Sequence, residues 1–126
     1  MLSGPDFGGR VTSVSSLAEW DALLAANESK KQLLIVDCYA LWCPPCKTAA
    51  PVFAKLSEEF DDGSCTFAKV DVENARDVGR RLGISAMPTF KVFKGTEEVE
   101  VQRGWPGEDQ LKKMLIGHGA KLAKAD

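Results

Sequence analysis

The sequence predicts an α/β fold, in which a β-sheet is covered by helices on both sides. The main observation is that segments with strand-like alternation take turns with segments of helical spacing, in the order β-α-β-α-β-α-β-β-α. In addition, residues 32–40 are apolar on both alternating faces, which is typical of a strand in the middle of a covered sheet. With 126 residues, 44% hydrophobic and 27% charged, the chain has the size and composition of one globular domain.

The first elements are a short strand and a helix. Residues 10–14 form an extended segment, and Ser16 and Glu19 then have the spacing of a capping box, in which both side chains satisfy free amides at a helix start. An apolar stripe continues this helix to about Asn27. The stripe consists of Leu17, Trp20, Leu23 and Leu24. The buried strand over residues 32–40 follows.

The second helix begins beside Cys43 and reaches about Phe60. Its apolar residues recur with a helical period, and Pro51 lies in the middle of the segment. Proline removes the amide that would bond the Lys47 carbonyl, so we expect the helix to kink at this point.

The second half of the chain is predicted to contain three strands and two helices. The strands span residues 65–72, 89–94 and 98–102, and the last helix spans about 108–117. After the first of these strands, we expect Asn74 to cap a short helix that Gly83 stops. Strict alternation over residues 98–102 is typical of a half-exposed edge strand.

Charge and hydropathy exclude several classes of function. The formal charge of −2, from 16 basic and 18 acidic side chains, argues against nucleic acid as a partner, and no polybasic run favours a membrane surface. No apolar run approaches the length of a membrane span. We divide the chain into a flexible lead over residues 1–9, one domain over 10–117 and a tail over 118–126. Because the lead lacks the apolar core of a secretory signal, we expect a reducing, cytoplasmic environment.

The main chemical signal is the segment Tyr39–Lys47, which leaves the buried strand and opens a helix. Its Cys43 falls at the first turn, where unpaired amides and the positive end of the helix dipole stabilise a thiolate. Cys46 lies further inside the helix, close enough to form a disulfide with Cys43 but more shielded. We therefore expect two unequal thiols, an exposed nucleophile and a buried resolving thiol, in a loop that Pro44 and Pro45 stiffen.

On the residues alone, the cysteine pair could also be half of a metal site or a purely structural feature. A zinc site would need a second pair of ligands, and the remaining candidates, Cys38, Cys65 and His118, have unrelated spacings, so no metal is expected. Two ordinary buried cysteines are possible too, although the strand-to-helix position favours redox chemistry. We expect Cys38 to be a small core residue. Cys65 begins a strand after a polar loop and could be partly exposed, but we favour a structural role over regulatory oxidation. His118 is expected to end the last helix without binding a ligand.

The sequence resembles the thioredoxin family over about residues 10–117. The resemblance rests on short motifs in the family's order, namely Val36-Asp37, Trp42-Cys43-Pro44-Pro45-Cys46-Lys47, Pro51, Val70-Asp71-Val72, Gly83-Ile84, Met87-Pro88-Thr89-Phe90, Phe93-Lys94-Gly95 and Gly104. The sequence departs from the family at Pro44, where typical thioredoxins carry glycine; a Cys-Pro-Pro-Cys site occurs in thioredoxin-like relatives such as tryparedoxins. The resemblance implies a thioredoxin fold, with a central mixed sheet of about five strands flanked by four helices, and the reduction of protein disulfides.

The resemblance also implies a mechanism, in which Cys43 attacks a substrate disulfide to form a mixed disulfide and Cys46 resolves it. Asp37 is notable even without the family, since an ionisable side chain on a strand with two apolar faces should be buried. It is either a satisfied core residue bonded to backbone or to Lys69, or, as the family implies, the proton acceptor that deprotonates Cys46 through a water. We favour the second role, for which a raised pKa of Asp37 is suitable.

A peptide groove beside the cysteines is a further implication of the resemblance. In the family, the loop at Met87 and Pro88 has a cis peptide bond, and the Met87 backbone pairs with the substrate chain like an added strand. The groove residues implied here are Trp42, Pro44, Pro45, Met87, Pro88, Gly104 and Trp105. Trp105 is either a bulky wall of this groove or an anchor for the last helix, and both roles stay open.

The resemblance implies no cofactor beyond the redox-active Cys43–Cys46 pair. The implied partners are a thioredoxin reductase or an equivalent dithiol donor, and disulfide-containing clients such as peroxiredoxins; we expect the chain to act as a monomer. Two alternatives remain, a specialised tryparedoxin-like reductase that serves one peroxidase, and a thioredoxin-fold binding or chaperone accessory module. The presence of both cysteines, Asp37 and Pro88 favours an active reductase.

Overall fold

The computed structural model describes residues 7–124, which form a mixed sheet of five strands and four helices. The strands are β1 (Val11–Ser13), β2 (Leu33–Tyr39), β3 (Cys65–Asp71), β4 (Thr89–Lys94) and β5 (Glu97–Arg103). The helices are α1 (Leu17–Lys30), α2 (Pro44–Glu59), α3 (Arg76–Arg81) and α4 (Glu108–Gly117). None of the helices within the described residues combines the length and apolar character that a membrane crossing requires. The predicted fold class and element order are confirmed.

β2 is the central strand, as its two apolar faces predict. The strand order is β1-β3-β2-β4-β5, with β2 parallel to β3 and antiparallel to β4. Every residue of β2 is buried. Leu33 and Ile35 pack into the core layer that contains side chains of α2 and α4, whereas Leu34 and Val36 pack into the layer that contains those of α1 and α3. The alternation along β2 therefore decides which helices each of its side chains meets.

The start of α1 contains the predicted cap. Ser16 is the N-cap residue, and its Oγ accepts a hydrogen bond from the Glu19 amide at 3.1 Å. The Glu19 carboxylate in turn accepts from the amide and the hydroxyl of Ser15, at 2.7 and 2.9 Å. The helix continues past Asn27 to Lys30. Asn27 is buried within it, and its Nδ2 donates to the Gly95 carbonyl at 2.7 Å.

The predicted cap of α3 is wrong. The helix begins at Arg76, and the N-cap position is held by Ala75, which makes no side-chain capping bond. The turn before the helix is stabilised by Asp71 at the end of β3. Its Oδ1 accepts from the amides of Glu73 and Asn74 at 3.1 and 3.3 Å. The carboxylate that organises this turn therefore comes from the strand.

The other local predictions concern Pro51, Gly83 and the last strand. α2 runs as one helix through Pro51, and the kink there stays a prediction. Gly83 directly follows the C-cap of α3 with a φ of 69°, the left-handed conformation in which glycine commonly ends a helix, so the predicted stop is confirmed. β5 lies at the edge of the sheet, as predicted, but residues 99–102 are all half-buried, so their burial does not alternate along the strand.

Both ends of the described chain lie along α2. Residues 1–6 of the predicted lead and residues 125–126 of the predicted tail lie outside the described residues. Gly9 lies against the α2 backbone at Ala54. In the tail, the Lys121 carbonyl accepts from the Asp61 amide at 2.7 Å, and the Ala123 amide donates to a carbonyl at the end of α2 at 2.8 Å. These bonds fix residues 121–123 beside the loop that joins α2 to β3.

Candidate active site

Cys43 and Cys46 lie at the N-terminal end of α2, where the chain leaves β2. Cys43 is the N-cap residue, and Pro44 and Pro45 are the first residues of the helix. The two cysteines are joined in a disulfide with their Cα atoms 5.2 Å apart, and the Cys46 amide donates to Cys43 Sγ at 3.3 Å. A sulfur that receives an amide hydrogen bond at the positive end of a helix is in a position that stabilises a thiolate.

The predicted difference in exposure between the two cysteines is wrong in this oxidised state. Cys43 and Cys46 are each only 3% exposed. Their neighbours form the surface instead, since Trp42 is 58% exposed and Pro44 and Pro45 are exposed as well. The disulfide holds both sulfurs inward, against the end of β2. The two sulfurs therefore differ in what they face and not in how much solvent they meet.

Cys43 faces the loop that precedes β4. Its Sγ lies 3.5 Å from the Met87 carbonyl oxygen, and Met87 packs against the same small apolar cluster as the two cysteines. The Met87–Pro88 peptide bond is cis, as predicted. The Pro88 carbonyl accepts a hydrogen bond from the Gly104 amide at 2.8 Å. The structure therefore brings Met87, Pro88 and Gly104 together on the Cys43 side of the disulfide.

Asp37 is a buried carboxyl group that the fold leaves unsatisfied. It is 3% exposed, and its Oδ1 has no hydrogen-bond partner within residues 7–124. In the sheet it lies between Lys69 of β3 and Phe90 of β4. Burial raises the pKa of Asp37 from 3.8 to about 7, against the smaller opposing effect of the Lys69 charge. Asp37 Oδ1 therefore lacks the hydrogen bond that a satisfied core carboxylate would make. The role of Asp37 as a proton acceptor stays a prediction.

A cavity of about 230 Å³ joins Asp37 to the disulfide, because Asp37 and Cys46 both line it. Its walls come from β2, α2, β3 and the residues around β1, and they are mainly apolar; Lys47 and Lys69 supply the cationic groups. The two sulfurs thus have different surroundings. Cys43 faces the cis-proline loop, and Cys46 faces a cavity that contains a carboxyl group whose pKa is near neutrality.

Comparison with known proteins decides the family. Residues 11–116 match the family model described as Thioredoxin. The chain belongs to the thioredoxin family.

Individual thioredoxins match almost the whole chain. It is 40% identical over 113 residues to an H-type thioredoxin of Chlamydomonas reinhardtii, a match that covers 90% of this chain and 98% of that protein. The crystal structure of thioredoxin NaTrxh from Nicotiana alata superposes with a TM-score of 0.80 at 33% identity, covering 88% of this chain and 94% of that one. Like these thioredoxins, the chain is a thiol–disulfide oxidoreductase and a protein-disulfide reductase.

A different class of protein contains a similar region. The chain is 46% identical over 94 residues to a peptide-N(4)-(N-acetyl-beta-glucosaminyl)asparagine amidase of Caenorhabditis briggsae. This match covers 75% of the chain but 15% of the amidase. The similarity therefore concerns a thioredoxin-like region of a much longer protein.

Trp105 is half-buried and packs on the core of this thioredoxin domain. Its ring centroid lies 5.9 Å from that of Phe90 on β4, and it contacts the core layer that contains side chains of α2 and α4. This contact supports the role of Trp105 as an anchor, because it ties the segment before α4 to the sheet. Its role as a wall of the groove stays a prediction.

The two remaining cysteines are both in the core, so the predicted exposure of Cys65 is wrong. Cys38 is fully buried and Cys65 is 3% exposed. Burial raises the pKa of Cys65 to about 12 and raises that of Cys38 as well. Both are therefore poor nucleophiles near neutral pH. His118 is the C-cap residue of α4, and its Nε2 lies 2.5 Å from Glu100 Oε1 of β5.

Sequence reasoning missed the residues before β1 that complete the cavity. The sequence assigns Phe7 and Gly8 to a flexible lead, yet both line the cavity beside Asp37. The signal that could have found them is an aromatic residue followed by two glycines directly before a strand, since such glycines commonly mark a close approach of the backbone to another element.

Proposed function

We propose that this reductase uses Cys43 as its nucleophile and Cys46 as its resolving thiol. The observation that carries the proposal is the position of Cys43 at the N-cap of α2, where an amide hydrogen bond and the helix dipole stabilise a thiolate. The Cys43 thiolate attacks one sulfur of a substrate disulfide, forms a mixed disulfide and releases the other substrate sulfur. Cys46 then attacks Cys43 Sγ, which restores the Cys43–Cys46 disulfide and releases the second substrate sulfur. The substrate gains two electrons and two protons, and the cysteine pair is oxidised.

Asp37 is proposed to accept the proton of Cys46 before the resolving attack. Three features support this role: the two residues line one cavity, Asp37 Oδ1 lacks a partner within residues 7–124, and the pKa of Asp37 is raised to about 7. A general base is most effective when its pKa is close to the working pH. The cavity of about 230 Å³ has room for a water that relays the proton between the two side chains.

The substrate chain is proposed to bind on the Cys43 side of the disulfide. The Met87 carbonyl lies 3.5 Å from Cys43 Sγ, so an extended peptide paired with the Met87 backbone would present its disulfide to the nucleophile. The exposed side chain of Trp42 offers an apolar surface for such a chain. The proposed groove consists of Trp42, Pro44, Pro45, Met87, Pro88 and Gly104.

The proposal also covers the partners and the location of the protein. The cysteine pair itself carries the electrons, so the chemistry requires no bound cofactor. A thioredoxin reductase or an equivalent dithiol donor would reduce the pair again, and peroxiredoxins are proposed among the clients. This electron transport is proposed to take place in the cytoplasm, with the chain acting as a monomer. The similarity to H-type thioredoxins over nearly the full chain supports these proposals.

The proposal is tested by the reduction of insulin disulfides with dithiothreitol. The wild type should accelerate the reaction, and Cys43→Ser should not. Cys65→Ala, which removes a buried sulfur outside the site, is the matched control and should retain the activity. Failure of the wild type to accelerate the reaction would favour a binding or chaperone accessory module. Activity restricted to one peroxidase would favour the tryparedoxin-like alternative.

A further inference from the structure

The residues before β1 are anchored to the C-terminal half of α2. The Arg10 amide donates to Ser57 Oγ at 2.7 Å. The Arg10 guanidinium donates to the carbonyls of Phe60 and Glu58, at 2.9 and 3.4 Å. Carbonyls at the end of a helix lack partners within the helix, so these bonds satisfy acceptors that would otherwise need water. The anchor fixes the direction in which the preceding residues run.

Gly9 brings the backbone into direct contact with α2. A Cβ at this position would overlap the Ala54 carbonyl oxygen and would lie 2.6 Å from Ser57 Oγ. Gly9 also has a φ of 77°, a conformation that side chains disfavour. Gly8 has a similar φ of 74°, but a Cβ there would meet nothing within 4 Å. The requirement for glycine therefore comes from close approach at Gly9 and from conformation alone at Gly8.

From this contact, the chain reaches the cavity that contains Asp37. Phe7 and Gly8 both line it, and Phe7 is 48% exposed, as a residue at the mouth of a cavity should be. Leu41, which also lines the cavity, is similarly half-exposed. Inside the cavity, Asp37 Oδ1 is buried without a partner among the described residues. Phe7 is therefore a half-exposed apolar residue on the wall of the cavity that contains the buried Asp37 carboxyl.

We propose that residues 7–10 form a strap that closes this cavity on the solvent side and shields the Asp37 carboxyl from bulk water, which makes Phe7 a positioning residue that acts through Asp37. The strap lies directly before residues 11–116, which match the family model. Its effect on the reaction rests on the proposed role of Asp37 as the acceptor of the Cys46 proton.

The direction of the effect follows from the groups around the carboxyl. They are Lys69 from β3, Lys47 and Cys46 from α2 and Tyr39 from β2, while β4 places Phe90 opposite in the sheet. Burial has the largest influence on the carboxyl and favours its neutral form, and the Lys69 charge opposes it. Opening the strap would admit water and leave the lysines in place, so both changes favour the charged form. The Asp37 titration should therefore move to lower pH.

Two variants open the strap, and two matched variants leave it closed. Phe7→Ala removes the covering ring, and Phe7→Leu is its control because it keeps an apolar side chain of comparable reach. Gly9→Ala introduces a Cβ where Ala54 and Ser57 leave no space, and Gly8→Ala is its control because it imposes the same disfavoured φ with free space around the Cβ. None of these residues belongs to the proposed catalytic or substrate-binding residues, and circular dichroism would verify that each variant is folded.

The first measurement is the titration of the Asp37 carboxyl by carbon-13 NMR in the oxidised full chain. The midpoint of the Asp37 titration should fall by about one pH unit in Phe7→Ala and Gly9→Ala, which is a fraction of the rise in pKa that full burial produces. In both controls the midpoint should stay at the wild-type value. Unchanged midpoints in Phe7→Ala and Gly9→Ala would overturn the strap, and so would equal shifts in the controls.

The second measurement is the pH profile of the resolving step in single-turnover reduction of a peptide disulfide. If Asp37 accepts the Cys46 proton, the profiles of Phe7→Ala and Gly9→Ala should move to lower pH together with the NMR midpoints. If the NMR midpoints move and the profiles do not, the strap stands as a shield of Asp37 and the proposed catalytic role of Asp37 fails. The two failures are therefore distinguishable.

Discussion

Replacing Asp37 with asparagine should raise stability and slow catalysis, and both effects should depend on pH. Burial raises the pKa of Asp37 from 3.8 to about 7, so the folded chain holds this proton more tightly than the unfolded chain. The wild-type free energy of unfolding therefore falls as the pH rises from about 4 to about 7 and levels off above that window. A difference of about three between the two pKa values corresponds to a free energy of the order of 4 kcal/mol. Asp37→Asn has no proton to lose and escapes this penalty.

The stability assay is urea unfolding of both proteins across the pH range. Burial of the asparagine amide costs about 1–3 kcal/mol at every pH, so the pH dependence of the difference is the informative quantity and not its absolute value. The difference should shift in favour of Asp37→Asn by several kcal/mol between about pH 4 and about pH 8. Asp62→Asn, in an exposed loop, controls for the loss of one negative charge. A constant difference between Asp37→Asn and the wild type would refute the burial argument.

The catalytic assay separates a base from a structural residue. Among the described residues that line the cavity, Asp37 supplies the carboxylate. If it accepts the Cys46 proton, the resolving step of Asp37→Asn should slow by about 10²–10⁴-fold near neutral pH, the usual range for general-base catalysis. Single-turnover kinetics would show a mixed disulfide that persists on Cys43. Equal resolving rates in variant and wild type from about pH 6 to about pH 9 would reduce Asp37 to a structural residue.

The remaining predictions concern the cysteines and the exposed tryptophan. In the reduced native chain, iodoacetamide should label Cys43 first, because its thiolate lies at a helix N-terminus. Peptide mapping should find the buried Cys65 and Cys38 unlabelled until the chain unfolds. Dominant labelling of Cys65 would contradict the assignment of Cys43 as the nucleophile. Cys46→Ser should trap a mixed disulfide on Cys43 that a non-reducing gel detects, and trapping through another cysteine would reverse the two roles. Trp42→Ala should change the free energy of unfolding by at most about 0.5 kcal/mol, since the ring is 58% exposed, while slowing the reduction of insulin more than that of a small disulfide. An equal effect on both substrates would remove Trp42 from the groove.

The parts of the fold that follow from periodicity could be predicted from the sequence. Both faces of β2 carry apolar side chains, and all of its residues are buried. Such a pattern is typical of a central strand that lies between two layers of helices. The start of α1 was predictable because Ser16, a good N-cap residue, directly precedes a helical apolar stripe. The end of α3 was predictable because Gly83 readily adopts the left-handed conformation that terminates a helix. The cysteine pair could be placed because its position depends only on a strand that ends and a helix that begins.

The details that sequence reasoning missed depend on contacts between distant segments. Cys65 is buried because its side chain packs into the core layer that contains side chains of α2 and α4, which the polar loop before it does not reveal. Asn74 is a good capping residue, but Asp71 already holds the turn through two backbone amides. In the sequence Phe7 resembles part of a flexible lead, because the other residues that line its cavity lie far along the chain.

The alternation of β2 also determines which side chain reaches the disulfide. Asp37 lies on the same face as Leu33 and Ile35, which meets α2, and so it shares a cavity with Cys46. Its neighbour Cys38 lies on the other face, in the layer of α1 and α3. Because side chains of a strand alternate with a period of two, a slip of one residue would bury the carboxyl among α1 and α3 and point a thiol at the cavity. The register of the central strand therefore places the acid and the resolving thiol on the same cavity.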